Sequence, residues 1–433
     1  MGSHRSTIFQ LIASLMTVSL APLACASQQS DSKGFIDDSH LLLTNRNYFF
    51  NHDYKDGVAD GRDWAHGLLF NYTSGYTQGP IGFGIDAIEN IVIKLDEQGN
   101  GTGNLHRNRN NETESFSHFG TAVKARVSNT VIKYGTQSPV NPMLADVGSR
   151  VQPLTAYGLS ITSKEIDKLL LEAGHFTGST GWNSNSRQSP LQAFYARVPV
   201  DSMDYAGGSY KVSDALTVSV YAATLEDMWH QYYAGVIHVL PLSKTQSFTS
   251  NFNIYRTLDY GKSMVGDVNN TAWSISGAYA FGAHRVTLSW QQIHGDTPMD
   301  YIGQGNENSA SYSIYLANSV QTSDFNGPGE KSAQLRYDLD MSAYGIPGLT
   351  FAARYVYGTD VDGTHADPRG AYAGQYGAHG SEREYGGQVS YVVQTGPAKN
   401  LAIQVRQYFH RDDGIGLPSN QFRLMVSHPL NLF

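Results

Sequence analysis

Two arginines near the carboxyl terminus lie in segments where apolar and polar residues alternate. Arg406 belongs to the polar face of residues 400–410, and Arg423 belongs to the polar face of residues 421–430. An arginine side chain keeps its positive charge at physiological pH and binds a carboxylate with two parallel N–H groups. If these segments are neighbouring strands, the two guanidinium groups would form part of a surface that attracts small anions.

Lys124 and Arg126 occupy equivalent positions in residues 118–128, where the apolar residues again alternate with polar ones. A structural role is the alternative for each of these bases, because Glu172, Asp338 and Asp340 could neutralise them in a polar interior. Several inward bases on neighbouring strands favour a path for anions, whereas any single base is better explained by pairing.

The elements that must position these bases are strands, because a period of two with one apolar face is typical of a strand between an apolar phase and water. The clearest example is residues 271–281, in which the large apolar side chains occur at every second position. The pattern predicts eighteen strands: 41–51, 64–74, 80–95, 118–128, 130–136, 154–163, 168–176, 203–212, 215–224, 229–240, 247–258, 271–281, 284–293, 331–341, 349–358, 383–393, 400–410 and 421–430.

The connections between these segments are alternately short and long. Short ones include 282–283, and the long ones are 96–117, 137–157, 177–202, 295–329 and 358–379. Short turns at one end and long loops at the other are typical of an outer-membrane barrel. Residues 162–173 also fit a capped helix, but within a series of strands we expect a turn at 163–167 followed by a strand.

Composition agrees with one large, turn-rich β domain. The chain has 433 residues with 44 glycines and 27 tyrosines, and only 16% of its residues are charged. Residues 1–26 resemble a secretory signal peptide that contains Cys25, the only cysteine, and residues 27–433 form the predicted barrel domain. A lipoprotein anchor at Cys25 is a weaker alternative. The net charge of −8 makes nucleic acid an improbable partner.

Motifs for catalysis or metal binding have little support. The sequence lacks a Gly-x-Ser-x-Gly elbow, a His-Glu-x-x-His pair and a phosphate-binding loop. Residues 359–367 resemble an incomplete calcium loop, but an Asp-Gly turn explains them better. We therefore predict no enzyme activity, no cofactor and no metal.

Several stretches resemble the OprD-type outer-membrane carboxylate channels of Gram-negative bacteria, and the resemblance extends over nearly all of residues 27–433. The most specific stretches are 316–332 (LANSVQTSDFNGPGEKS), 391–400 (YVVQTGPAKN) and 420–430 (NQFRLMVSHPL). Further support comes from 34–38 (GFIDD), 123–128 (VKARVS), 159–167 (LSITSKEID) and 225–233 (LEDMWHQYY).

This resemblance implies an all-β fold, a single antiparallel transmembrane barrel of eighteen strands with short periplasmic turns and long extracellular loops. The third and seventh loops, here 137–157 and 295–329, would fold into the pore. It also implies a ladder of bases opposite an acidic face of the seventh loop. The implied pathway residues are Lys124, Arg126, Arg150, Arg406 and Arg423 for the bases and Ser319 and Asp324 for the seventh loop. The ladder has fewer bases than in the best-known members, which have basic residues at the positions that Gln404 and Ser390 occupy here.

The expected function is passive, substrate-selective diffusion of small carboxylate-bearing nutrients, such as amino acids or aromatic acids, and related antibiotics across the outer membrane. The expected partners are those solutes, outer-membrane lipid, lipopolysaccharide and the barrel-assembly machinery, with the chain as a monomer or homotrimer. The alternatives are a barrel hydrolase built around Ser319 and Asp324, which would need a nearby histidine, and a plugged structural barrel.

Overall fold

The computed structural model describes residues 28–433 apart from Asp56, Arg109, Asn111, Val147, Ser149, Arg187 and residues 305–313. The predicted signal peptide lies outside the described residues. Eighteen strands form the main sheet, as the alternation predicts. They are β1 His40–Tyr54, β2 Gly61–Thr73, β3 Ile81–Gly99, β4 Phe116–Val127, β5 Thr130–Gln137, β6 Thr155–Ser163, β7 Leu169–Thr180, β8 Met203–Lys211, β9 Leu216–Leu225, β10 Trp229–Ser243, β11 Gln246–Asp259, β12 Asn269–Phe281, β13 His284–His294, β14 Lys331–Asp340, β15 Leu349–Val361, β16 Gly380–Val392, β17 Ala402–Asp413 and β18 Ser419–Asn431.

The sheet closes on itself because the last strand pairs with the first. Strands β18 and β1 are antiparallel, in a register from Leu42 opposite Asn431 to Tyr54 opposite Ser419. Closure pairs the backbone groups of the terminal strands, which is the condition for strands to cross a lipid bilayer.

The two faces of the barrel wall differ as the sequence predicts. On β13, Leu288 and Trp290 are 62% and 39% exposed on the outside, whereas Ser289 and Gln291 are 8% and 0% exposed on the lumen side. Aromatic rings gather on the outer surface near both ends of the barrel, with Phe281 against His284 at one end and Phe49 against Phe422 towards the other. Such girdles mark the two membrane interfaces of an outer-membrane barrel.

The helices in the described part of the chain are all too short or too polar to cross a membrane.

The connections follow the predicted division into short turns and long loops. Residues 128–129, 244–245 and 282–283 connect strands at one end, which is the periplasmic end of such barrels. The long loops at the other end are loop 2 (100–115), loop 3 (138–154), loop 4 (181–202), loop 7 (295–330) and loop 8 (362–379).

The helical alternative for residues 162–173 is wrong. Strand β6 continues to Ser163, residues 164–168 form a turn, and β7 begins at Leu169. Lys168 has a positive φ of 63°, which a right-handed helix excludes. Pairing of β7 with β6 and β8 outweighs the local helix propensity of this segment.

The hydrophobic core of the protein lies inside the barrel, because the long loops fold inwards. Loop 3 contributes Leu144, loop 4 contributes Leu191 and loop 7 contributes Tyr301, all buried in one cluster with lumen-facing side chains such as Tyr255 of β11. The Tyr255 hydroxyl donates to the carbonyl of Pro142 in loop 3 at 3.0 Å. The prediction that loops 3 and 7 enter the pore is therefore confirmed.

Candidate functional site

Arginines face one another across two pairs of neighbouring strands on one side of the lumen. Arg406 of β17 lies directly opposite Arg423 of β18, and Arg336 of β14 lies directly opposite Arg354 of β15. Like charges at directly opposed positions destabilise a sheet. Local features that oppose folding are expected at functional sites. We call these four residues, together with Arg150 of loop 3, the arginine arc.

The two members of the arc nearest the carboxyl terminus are held by amide groups. Arg423 donates from Nη2 to Oε1 of Gln421 at 2.5 Å, and Arg406 donates from Nη1 to Oε1 of Gln321 in loop 7 at 3.1 Å. The Arg423 guanidinium also lies 4.2 Å from the ring centroid of Phe50. Neither arginine forms an ion pair among the described residues, so both keep uncompensated positive charge towards the lumen.

The other two strand members of the arc have carboxylate partners. Arg336 pairs with Asp338 at 2.6 Å, and Arg354 pairs with Glu384 at 3.3 Å. Their net charge is therefore largely neutralised. The arc is most positive at Arg406 and Arg423.

Loop 3 adds Arg150 to this positive region. Its guanidinium lies 5.2 Å from the Phe50 ring and 4.5 Å from the ring of Trp182. Burial lowers the pKa of Arg150 to about 10, and the positive charge of Arg423 acts in the same direction. Arg150 therefore stays protonated at neutral pH, and its closeness to Arg423 agrees with the predicted place of this loop beside the strand bases.

The predicted loop 7 residues Ser319 and Asp324 are brought together. Ser319 donates to Oδ1 of Asp324 at 2.5 Å, while Tyr195 and Tyr301 donate to Oδ2 at 2.8 and 2.6 Å. Among the described residues the side-chain partners of Asp324 are these three hydroxyls, and none is the histidine that a hydrolase would need. The arrangement fixes a partly exposed carboxylate where loop 7 contacts Tyr195 of loop 4.

Glu384 of β16 is a site residue that the sequence did not reveal. Its carboxylate is 0% exposed and accepts the backbone N–H groups of Gln321, Thr322 and Ser323 at 3.0, 2.7 and 3.2 Å. With the Arg354 ion pair, Glu384 holds the tip of loop 7 in the lumen next to Arg406.

Arg336 and Arg354 were also missed, although the signal was present. Residues 349–358 alternate, with Phe351, Tyr355 and Tyr357 on one face, and this pattern turns Arg354 inwards. The same argument applied to residues 331–341 turns Arg336 inwards. Only the strand register shows that the two lie side by side.

Lys124 and Arg126 lie far from the arc. Strand pairing places Arg423 opposite Phe50 of β1, Phe50 opposite Asp63 of β2, and Asp63 opposite Glu97 of β3. Arg126 is opposite Gly82, at the other end of β3. The stretch from residue 82 to residue 97 corresponds to about 50 Å of extended strand. The predicted bases therefore form two groups, one at the constriction and one at the periplasmic mouth.

Within the periplasmic group, Lys124 has a structural role. Its ammonium is buried, donates to the carbonyl of Ser74 at 2.8 Å and pairs with Asp86 at 2.6 Å. Asp86 also binds Lys133 at 2.5 Å. The structural alternative considered for single bases therefore describes Lys124 well, whereas Arg126 has no such ion pair among the described residues.

No group of three or more His, Cys, Asp or Glu side chains within the described residues could hold a metal ion. In the segment that resembles an incomplete calcium loop, Asp362 accepts the backbone N–H of Thr364 at 3.0 Å, as in a simple turn.

Above the constriction, Asp300 of loop 7 connects three long loops. Its carboxylate accepts the N–H groups of Tyr195 and Ala196 of loop 4 at 3.0 and 2.9 Å and the hydroxyl of Tyr372 of loop 8 at 3.0 Å. Burial raises the pKa of Asp300 to about 6, against the opposing effect of these hydrogen bonds. A pKa of about 6 places the ionisation of Asp300, and with it a change of charge at this loop junction, on the acid side of neutrality.

We expect the stability of this loop junction to fall as the pH rises from about 4 to about 6. The folded-state pKa lies above the reference value of 3.8, so the folded loops bind the proton more tightly than the unfolded ones, and that advantage is lost as Asp300 ionises. Amide hydrogen exchange of Tyr195 and Ala196, corrected for intrinsic rates, measures the local stability of the junction at each pH. Asp300→Asn should remove the pH dependence; an unchanged profile in that variant would refute the assignment.

A closed barrel of eighteen antiparallel strands, narrowed by inward loops and lined on one side by arginines, defines an outer-membrane diffusion channel. The model of the family described as "outer membrane porin, OprD family" matches residues 33–432. The chain belongs to the OprD family of outer membrane porins. The family resemblance inferred from the sequence is confirmed.

Individual relatives agree with this assignment. Porin D of Pseudomonas aeruginosa is 47% identical over 419 residues, which cover 94% of each chain. The porin-like protein GalP of Pseudomonas putida is 31% identical and covers 98% of this chain and 99% of its own. The crystal structure of Pseudomonas aeruginosa OprD covers 94% of this chain and 99% of its own, at 44% identity and a TM-score of 0.84. OpdK of the same organism, solved with vanillate, covers 92% and 100%, at 28% identity and a TM-score of 0.83.

Proposed function

We propose that this channel admits small nutrients that carry a carboxylate, and that the arginine arc recognises the carboxylate. The observation that carries the proposal is the direct opposition of Arg406 and Arg423, which have no ion-pair partner among the described residues. Two adjacent guanidinium groups are a favourable surface for the two oxygens of a carboxylate. The vanillate in the OpdK structure, itself a carboxylate, supports the same substrate class.

The mechanism needs no cofactor, covalent step or energy source. A solute carboxylate would enter between loops 3 and 7, exchange its hydration shell for N–H donors of Arg150, Arg423 and Arg406, and pass to the wider space below. That space is a cavity of about 1040 Å³ whose lining includes Ser319, Arg336 and Arg354. Weak, successive contacts of this kind guide an anion without trapping it.

Asp324 would serve solutes that also carry a positive end. Its carboxylate is held by three hydroxyls at the constriction, so it is fixed in place and not neutralised by a base among the described ion pairs. An ammonium or guanidinium group would be attracted to Asp324 while the carboxylate of the same solute contacts Arg406. Amino acids fit this arrangement, and so do aromatic acids, which use the arginines alone.

We expect the surroundings of the barrel to follow from its outer surface. The exposed aliphatic and aromatic side chains between the girdles would contact outer-membrane lipid and lipopolysaccharide. The barrel-assembly machinery as the route of insertion, and a monomer or homotrimer as the assembly, stay predictions.

The Arg406→Ala variant tests the proposal. Removing this guanidinium should lower benzoate flux into liposomes about tenfold, because one charge-assisted hydrogen-bond partner is lost, while flux of a neutral sugar of similar size changes by less than about twofold. Solute uptake by the purified channel in liposomes measures both. Equal losses for benzoate and the sugar would contradict recognition of the carboxylate.

A further inference from the structure

An amino-terminal segment, residues 28–39, lies against the periplasmic end of the barrel. The backbone N–H of Gln29 donates to the carbonyl of Ser128 in the turn after β4, at 3.1 Å. The hydroxyl of Ser32 donates to the carbonyl of Tyr76 in the turn after β2, at 2.6 Å. The segment is thereby fixed to two neighbouring periplasmic turns.

The side chain of Gln29 is directed into the barrel wall and is only 4% exposed. Its amide nitrogen donates to the carbonyls of Thr77 and Gly79 at 2.9 and 3.1 Å, and its Oε1 accepts Nε–H of Arg126 at 2.9 Å. A buried amide whose donors and acceptor are all used has one orientation. Gln29 therefore fixes the direction in which the Arg126 guanidinium points.

The opposite side of Gln29 is a glycine, and a larger residue there would force the Gln29 amide to shift. A Cβ at Gly82 of β3 would lie 2.3 Å from Oε1 of Gln29. Gly82 is the residue directly opposite Arg126 on the neighbouring strand. The missing side chain of Gly82 therefore leaves a space in the barrel wall beside Arg126, and the Gln29 amide fills that space.

Arg126 is thus held at Nε, and within the described part of the chain its two terminal nitrogens have no hydrogen-bond acceptor. Its guanidinium lies 4.0 Å from the ring centroid of Tyr76, and among the described residues it forms no ion pair. One face and one edge of the guanidinium are therefore positioned by the protein, which is how a fixed site for a planar carboxylate is built.

Arg126 lines a cavity of about 470 Å³ at the periplasmic mouth. This volume falls in the range of small-molecule sites. Three cations and two carboxylates are among its lining residues, Asp38, Tyr76, Asp86, Lys124, Arg126 and Lys133. Both lysines bind Asp86, and Asp38 accepts the backbone N–H of Lys33 at 2.8 Å. The cavity therefore has one more positive than negative side chain, and Arg126 is the cation without an ion pair among the described residues.

We propose that this cavity is a second carboxylate-binding site, at the periplasmic mouth, that the segment 28–39 completes and in which Gln29 is the positioning residue for Arg126. It rests on the proposed function, because its ligand is the carboxylate that has passed the arginine arc. About 50 Å of strand β3 separates it from the level of the arc, so the two sites can be occupied independently. A solute leaving the constriction is held again before release.

Benzoate added to the periplasmic side of single channels of known orientation in a planar bilayer tests this proposal. We expect the association rate of benzoate from that side to fall about tenfold in Arg126→Gln. Gln29→Glu should cause the same loss, because its carboxylate keeps the arginine in place and cancels its charge. Gln29→Ala should cause a smaller loss, about threefold, since only the orientation of the guanidinium is released.

Controls separate this site from the arc and from misfolding. Gly82→Ala crowds Gln29 from the neighbouring strand and should lower the association rate of benzoate as much as Gln29→Ala does. Lys244→Gln changes an exposed periplasmic turn and should leave this rate at the wild-type value. Block by benzoate from the extracellular side should be unchanged in all of these variants and weakened by Arg406→Gln. Wild-type periplasmic block in both Arg126→Gln and Gln29→Glu would refute the second site and leave the proposed function standing. If Arg406→Gln kept wild-type block by benzoate from the extracellular side, that result would instead refute the proposed function.

Discussion

Replacing Arg406 and Arg423 together by glutamine is expected to lower the permeability ratio of anions to cations about tenfold. Each of the two charges changes the energy of a passing ion by a few tenths of a kcal/mol through water, with opposite sign for anions and cations. Together they therefore shift the ratio by about 1.4 kcal/mol, which is a factor of ten. Glutamine keeps hydrogen-bonding capacity and approximate volume, so the pore width should change little. The reversal potential of the channel across a tenfold salt gradient measures the ratio.

The matched control for this double variant lies on the other face of the same strand. Arg411 of β17 is on the outer side, where its guanidinium lies 5.9 Å from the ring of Phe409. Arg411→Gln removes one positive charge from the outer side and should leave the reversal potential at its wild-type value. If the double variant behaved like Arg411→Gln, the two lumen arginines would not determine ion selectivity.

Replacing Glu384 by alanine is expected to increase single-channel conductance several-fold. The substitution leaves Arg354 and the N–H groups of Gln321, Thr322 and Ser323 without their carboxylate. Breaking a buried ion pair from one side typically costs about 3–5 kcal/mol. The tip of loop 7 should therefore leave the lumen and widen the constriction.

Two further variants make this result specific. Glu384→Gln keeps one acceptor oxygen and should give an intermediate conductance with frequent transitions between levels. Glu226→Ala removes an exposed carboxylate outside the lumen and should match the wild type. A Glu384→Ala channel that folds and conducts at the wild-type level would show that loop 7 is held by its other contacts, such as Gln291 with the carbonyls of Asp324 and Phe325.

Strand alternation was sufficient to predict the number of strands and the face on which each base lies. Arg406 and Arg423 were assigned to the lumen from residues two positions apart, because a strand admits only two side-chain directions. The same rule places Leu288 outside and Gln291 inside, as observed. Residues 162–173 were ambiguous because a short apolar run fits both the helical and the strand period, and only the neighbouring strands decide between them.

The distances along the pore could not be predicted, because alternation contains no information on strand register. Register separates Arg126 from Arg423 and places Arg336 beside Arg354. Contacts between a strand and a distant loop are hidden for the same reason, and Glu384 with the loop 7 tip is the clearest case. Lys124 shows the limit for single residues, since its ion pair with Asp86 depends on the pairing of β3 with β4.

Single-channel recording of the wild-type protein in a planar bilayer, with benzoate or a neutral sugar of similar size on one side, tests carboxylate recognition most directly. We expect benzoate to interrupt the open current with a frequency that rises in proportion to its concentration, and we expect the sugar to cause no interruptions. Equal interruption by both solutes, or a folded and inserted protein that conducts no ions, would contradict a channel selective for carboxylates.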